Sequence, residues 1–177
     1  MKNKRANLKI FDFLDDDFKK HKKQFILQSL MTVGVVSIVL LFLDFIADGI
    51  VVASIGASST IAFGTPHDKT AGPKYLIGGY SFGVISGGLC YLIVFGIQKL
   101  FPNISIDYVI ALLGAFSVGL TMFLMVITDT EHPPSSALAL GLVLDGFSLM
   151  TASVAIIGIS LISLTQRLFK KYMFDLY

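Results

Sequence analysis

Uncharged apolar runs dominate the chain, and four of them are long enough to cross a bilayer: Phe25–Leu43, Tyr75–Gln98, Tyr108–Thr128 and Gly146–Gln166. A helix rising 1.5 Å per residue needs about 20 residues to cross roughly 30 Å of hydrocarbon. Each run therefore predicts a spanning helix. Two further apolar stretches are shorter and differently marked. Gly49–Pro66 is rich in Gly, Ser and Ala, and His132–Leu144 opens with His-Pro-Pro-Ser-Ser. Such segments read as broken or re-entrant helices, tolerated at membrane depth where protein or a water-filled cavity surrounds them.

The two short stretches resemble each other. Ser54–Gly64 aligns without gaps on Glu131–Gly141, with Ser58/Ser135, Ser59/Ser136, Ala62/Ala139 and Gly64/Gly141 identical. Each copy lies between two spans, so the chain reads as two tandem units of span, short helix and span, covering about 25–98 and 104–166. Internal repeats around Gly/Pro-interrupted segments are a pointer to transporter binding sites. Parity sets the topology. If each short segment crosses as a half-helix, the repeats are inverted and the chain crosses six times. If each is a re-entrant hairpin, four full spans remain and the repeats are parallel. We read six crossings, with Lys69 and Lys74 on the side of both termini.

Composition agrees with an all-α polytopic membrane protein. Hydrophobic residues make up 54% of the 177 residues and charged ones 15%, against about 25% charged in a usual globular chain. Too few charges remain to cover a water-soluble globule, and the chain is too apolar for intrinsic disorder. Eight of the fourteen basic residues precede Phe25, and Arg167, Lys170 and Lys171 crowd the C-terminal end. Basic clusters flanking spans suit anionic lipid better than nucleic acid, so the bilayer is the expected partner. They also place both termini in the cytoplasm by the positive-inside rule, in a bacterial inner membrane. Residues 1–24 form a polar segment in which Leu8, Ile10, Phe11, Leu14 and Phe18 among basic residues suggest an interfacial amphipathic helix. Residues 25–166 form one transmembrane domain, and 167–177 a basic tail. The polar N-terminal stretch followed by a long apolar run does not read as a cleavable signal. Cys90 is alone, which excludes an intramolecular disulfide.

Glu131-His132-Pro133-Pro134-Ser135-Ser136-Ala137 resembles the signature of the HPP family of small integral membrane proteins. Ser54–Gly64 with Thr65-Pro66, then Gly72-Pro73-Lys74-Tyr75-Leu76-Ile77-Gly78-Gly79, is similar to that family's other marked region, a Phe-Gly-x-Pro turn leading into a Gly-Gly-containing helix. The loop His67-Asp68-Lys69 is more charged than the family's usual one. The resemblance implies four spanning helices and transport of a small monovalent anion. Cyanobacterial and plastid members are associated with nitrite, and nitrite is expected here on kinship alone.

The residues point the same way through their chemistry. Proline is favoured at the first helical position, so Pro133 and Pro134 should start a helix whose Ser135, Ser136 and Ala137 N–H groups are free. Free amides at the positive end of a helix dipole suit an anion. In the first copy Gly56 replaces Pro133, a helix is expected over Ala57–Pro66, and Ser58, Ser59 and Thr60 offer equivalent donors. The expected site lies between the two facing helix starts near the midplane. The competing reading is that these small residues only permit close helix packing. Asp129, Glu131 and His132 precede the second start and are candidates for gating or proton coupling; a polar loop that caps the helix is the plainer reading. Asp44, Asp48 and Asp145 read as solvated span ends. His21, His67 and His132 are too scattered for a zinc site, and no cofactor, nucleophile–base pair or phosphate loop is expected, so an enzyme is not. Gly79, Gly83 and Gly87 form a small-residue stripe that could pack within the chain or in a homo-oligomer. A non-transporting scaffold or sensory subunit recruiting partners through such glycine faces is the alternative function.

Overall fold

A computed structural model describes residues 16–43 and 49–176. Six helices account for nearly all of them: α1 (Asp16–Leu43), α2 (Gly49–Gly64), α3 (Pro73–Leu100), α4 (Ile106–Thr128), α5 (Pro134–Leu144) and α6 (Leu149–Phe169). Among the described residues there is no strand. The fold is the expected all-α polytopic bundle, and α3, α4 and α6 are each long and apolar enough to cross a membrane. The helix ends follow local chemistry. Gly72 and Pro73 open α3, Asp129 closes α4 in the left-handed region at φ 51°, and the Ser148 hydroxyl accepts from the Thr151 N–H at 2.9 Å to start α6. The expected interfacial segment and both Asp44 and Asp48 fall mainly or wholly outside the described residues. Where residues 16–24 are described they continue α1, with non-helical backbone at His21.

Each short segment is one uninterrupted helix and not a hairpin, in keeping with the six-crossing reading. One boundary is corrected: α2 begins at Gly49, eight residues before the expected start at Ala57. The reason is local. Gly56 keeps its N–H and fits helical backbone, whereas prolines at the matching place in the second copy supply no donor and cannot continue a preceding helix. The copies therefore share their C-terminal turns and differ at their starts.

Contacts fix the direction of every helix. Gln28 of α1 donates to the Phe63 carbonyl at the end of α2, and Gln166 near the end of α6 donates to Pro66 just beyond α2. Lys74 at the start of α3 bonds Asp129 at the end of α4. Leu176 N–H bonds the Gly64 carbonyl at 2.7 Å. The α2–α3 connection, the α4–α5 connection and the C-terminal tail thus meet at one end. A short turn joins α3 to α4 at the other. A Cβ on Gly141 of α5 would strike Ile50 near the start of α2, while His132 before α5 reaches Ser58 further along α2. So α2 and α5 run antiparallel, as do α1 and α4, and α3 and α6. That is an inverted repeat, with successive helices alternating in direction.

The glycine stripe of α3 is filled from within the chain. A Cβ at Gly79 would sit 2.7 Å from both the His132 Cβ and the Ser135 Oγ, one at Gly83 2.5 Å from the Ser135 carbonyl, and one at Gly87 2.8 Å from the Ala139 carbonyl. Backbone-to-backbone approach at that distance needs hydrogen in place of a side chain. α5 is consequently buried on most sides, by α2, α3 and α4. Large apolar side chains face outward instead, among them Leu112 at 73% exposure on α4 and Leu168 at 65% on α6, as a lipid-facing surface requires.

Two outcomes follow from this packing. Gly83→Ala should destabilise the protein by about 1–3 kcal/mol, the usual cost of overpacking. Gly96→Ala, where a Cβ meets nothing within 4 Å, should be neutral or stabilising in the same detergent melt. For topology, single cysteines at Lys69 and Asp175 in a Cys90→Ala background should react with an impermeant thiol reagent from one face of the membrane, and one at Asn103 from the opposite face. Labelling of Lys69 and Asn103 positions from the same face would overturn the alternating arrangement.

Candidate functional site

Where α2, α3 and the start of α5 cross, the bundle interior turns polar. Ser54 and Ser58 project from successive turns of α2, Tyr80 from α3, and His132 and Ser135 from the α5 start; Ser58, Tyr80, His132 and Ser135 have no exposed surface. Ser54 lies four residues before Ser58, on the same helix face. Tyr80 OH stands 3.1 Å from Ser54 Oγ and 2.9 Å from Ser58 Oγ. Ser58 Oγ is 2.8 Å from His132 Nε2. The Tyr80 and His132 rings lie at a tilt with centroids 5.9 Å apart. Six residues of α3 separate Pro73 from Gly79, where His132 packs, so the cluster sits about 9 Å below the helix start.

Two atoms of this cluster, His132 Nδ1 and Ser135 Oγ, are buried without a well-formed hydrogen bond, the imidazole having only a weak approach to the Thr70 backbone. A buried polar atom left unpaired costs about 1–3 kcal/mol, so such atoms are rare in native interiors and mark places where a ligand or water completes the set.

Some of the sequence-derived site residues come together in the structure and others separate. The structure brings Ser58, Pro134 and Ser135 together with His132, all buried. It turns Ala57, Thr60, Pro133 and Ala137 outward and leaves Gly56 and Ser136 half-buried. Ser59 is buried, but its hydroxyl bonds back to the Ile55 carbonyl. The free amides are also corrected. Ser135 N–H bonds the His132 carbonyl and Ser136 N–H the Pro133 carbonyl, each at 3.0 Å. Pro133 has helical backbone, so the turn starts one residue earlier than proline at the first position would require, and it consumes those donors. In α2 the amides of Ser58, Ser59 and Thr60 lie inside a helix already under way. No pair of helix starts faces each other. One helix start, α5, instead meets the side of α2.

The acidic candidates separate from His132. Asp129 and Glu131 are exposed on the surface above the cluster. Asp129 accepts from Lys74 at 2.7 Å and from Tyr75 OH at 3.1 Å, and Lys69 lies 3.8 Å from both carboxylates. The Lys74 hydrogen bond, then that of Tyr75, holds the Asp129 carboxyl below its ordinary range. These pairs latch the α2–α3 connection to the α4–α5 connection directly over His132. Nor does His132 cap α5 with its side chain. Its carbonyl takes the Ser135 N–H, and its own N–H points at the Met125 sulfur at 3.4 Å.

Sequence reasoning missed Tyr80, Ser54, Gln28 and Gln166. Gln28 and Gln166 are buried and complete the carbonyls beyond the last turn of α2, a need that every helix end creates. The available signal was an uncharged polar residue within an otherwise apolar span. Tyr80 was signalled in the same way, as the hydroxyl-bearing aromatic immediately after the Gly78-Gly79 pair. Among the described residues no group of three or more His, Cys, Asp and Glu side chains could hold a metal ion.

No curated protein and no solved structure matches the chain. A family model, the HPP transmembrane region, matches residues 19–174. That range takes in every helix of the bundle apart from the first three residues of α1, and both halves of the inverted repeat. This integral membrane protein belongs to the HPP family.

Proposed function

We propose that the chain is a membrane transporter or channel for a small monovalent anion, nitrite being the leading candidate, bound at the α2–α3–α5 crossing. The supporting observation is the sealed polar cluster in which Ser135 Oγ has no hydrogen-bond partner and the His132 ring, beyond Ser58, has only a weak approach to the Thr70 backbone. Hydroxyl and imidazole N–H groups are donors, which is what a small oxyanion needs, and no carboxylate belongs to the cluster to repel one. Family membership supports a transport role, and nitrite comes from kinship with the family. The Lys69, Lys74, Asp129 and Glu131 latch would act as the gate on the side of the C-terminal tail, the cytoplasmic side if the basic flanks follow the positive-inside rule. A scaffold recruiting partners through glycine faces draws less support, since Gly79, Gly83 and Gly87 are occupied by α5.

Flux of nitrite into proteoliposomes, with nitrate and chloride as competitors, tests the reading. Ser135→Ala removes one hydrogen bond of roughly 0.5–1.5 kcal/mol and should weaken apparent affinity by up to about tenfold while leaving transport measurable. Ser58→Asp and Ser135→Asp place a negative charge in the anion's position and should abolish uptake. A thermal melt of each variant separates lost binding from lost folding. Unchanged uptake in folded Asp variants would remove the site. A wild-type protein that moves none of the three anions would favour the scaffold.

Opening the latch is a separate expectation. Asp129→Asn weakens the contacts to Lys74, Lys69 and Tyr75 at once, yet the charged groups are all exposed, where ion pairs contribute little to stability. The initial uptake rate should therefore change with no matching change in melting temperature.

A further inference from the structure

We propose that the buried cluster admits its anion only together with a proton, carried on His132, so that each cycle moves a neutral pair. The inference rests on the anion-transport reading above and identifies the coupling ion of the same site.

Charge balance is the first argument. Burying an anion without a countercharge is strongly unfavourable, and the cluster contains no cation. From Phe25 to Gln166 the only Lys or Arg residues are Lys69, Lys74 and Lys99. Lys69 and Lys74 are exposed and turned toward Asp129 and Glu131. Lys99 is at the far end of α3, twenty residues beyond Gly79, or about 30 Å away. What faces His132 from α2 is Ser58, from the α2–α3 connection the Thr70 backbone, from α3 Tyr80, and from α4 the Met125 sulfur against its backbone N–H. Ser135 follows on α5 itself. None of these is positively charged. Glu131, the residue before His132, is exposed and lies beside Lys69. Only the imidazole can become a cation at this depth.

The hydrogen-bond pattern is the second argument, and it is independent of the first. Ser54, Tyr80, Ser58 and His132 Nε2 form a chain in which each link can run in either direction. In the empty site, where burial favours the neutral ring, Ser58 can donate to Nε2. When His132 takes up a proton, both ring nitrogens become donors. Nε2–H then donates to Ser58 Oγ. The displaced Ser58 O–H has an acceptor waiting, the Ser54 carbonyl at 2.9 Å. Nδ1–H, whose only approach is the weak one to the Thr70 backbone, is left for the anion, with the unpartnered Ser135 Oγ on the same helix start. The network thus accommodates the extra proton without losing a bond. With Nε2 accepting, the neutral ring already carries its hydrogen on Nδ1, so on entry an O–H bond of the water that delivers the proton breaks and an N–H bond forms at Nε2 as the anion arrives at Nδ1–H. On release the Nε2–H bond breaks, the proton returns to water, and proton and anion leave on the same side. Nothing is oxidised or reduced.

The test uses the full chain in proteoliposomes with a trapped pH dye, potential clamped by potassium and valinomycin, and protein-free vesicles subtracted for leakage of nitrous acid. Nitrate is the second probe, because its strong conjugate acid does not leak as a neutral molecule. Lumenal acidification should match nitrite uptake one for one, and the rate should be indifferent to the clamped potential. His132→Gln, which keeps a group able to bond Ser58 but does not titrate, should lose at least about tenfold of the uptake rate and all of the acidification. If that variant fails to fold, the stoichiometry and voltage response of the wild type still decide. Uptake without acidification, accelerated by a positive-inside potential, would overturn proton coupling and leave anion transport standing. Absence of any flux above protein-free vesicles would overturn both.

Discussion

Everything in the interior depends on how closely α5 lies on α3. Three glycines one turn apart let the α5 backbone settle where side chains would otherwise stand, with carbonyls of Ser135 and Ala139 within van der Waals reach of the α3 backbone. In a bilayer there is no hydrophobic gain from helix association, so this kind of contact must supply the attraction through packing. It also determines depth. By drawing the start of α5 below the ends of its neighbours, it carries His132 and Ser135 into the apolar core, where they meet Ser58 and Tyr80.

The same arrangement explains why polarity is concentrated at so few places. Elsewhere many hydroxyls of the helices turn back on their own chain, as Ser81 does to Ile77 and Ser160 to Ile156, and so present little to the membrane, although Ser86 Oγ on α3 is buried without a partner. At the crossing of α2, α3 and α5 the hydroxyls reach other helices. Local self-satisfaction is sufficient for anchoring in lipid. Cross-helix bonding needs a different justification, and the paired exceptions at His132 and Ser135 are what suggest one.

Much of this was legible in the residues. Run length located α3, α4 and α6 to within three residues, and the repeated Ser-Ser-x-x-Ala-x-Gly pattern marked α2 and α5 as a pair, two short helices that pack antiparallel. The site was legible as a region and not as a geometry. Ser58 and Ser135 were marked because both copies carry them, but a linear comparison puts like on like and so suggested two helix starts meeting. The fold instead brings together unlike parts, the beginning of one copy and the middle of the other. Tyr80 and Gly79 lie outside the repeated segments, and no periodicity connects them to α2. Nor could spacing reveal that Pro133 itself turns helical and engages the amides. Such facts depend on three-dimensional juxtaposition, whereas hydropathy reports only on the lengths of elements and the faces they bury.

The end of α2 has a consequence for how the protein is made. Its closing carbonyls are completed by Gln28 from the first helix, Gln166 from the last, and Leu176 from the tail. Gln28 is itself held by both the carbonyl and the N–H of Phe174. A chain emerging from the ribosome inserts α2 long before residues 166–176 exist. Until then that helix end must borrow partners from water or lipid headgroups. This end of the bundle can be closed only once residues 166–176 have been made, so its assembly waits for the last helix and the segment that follows it.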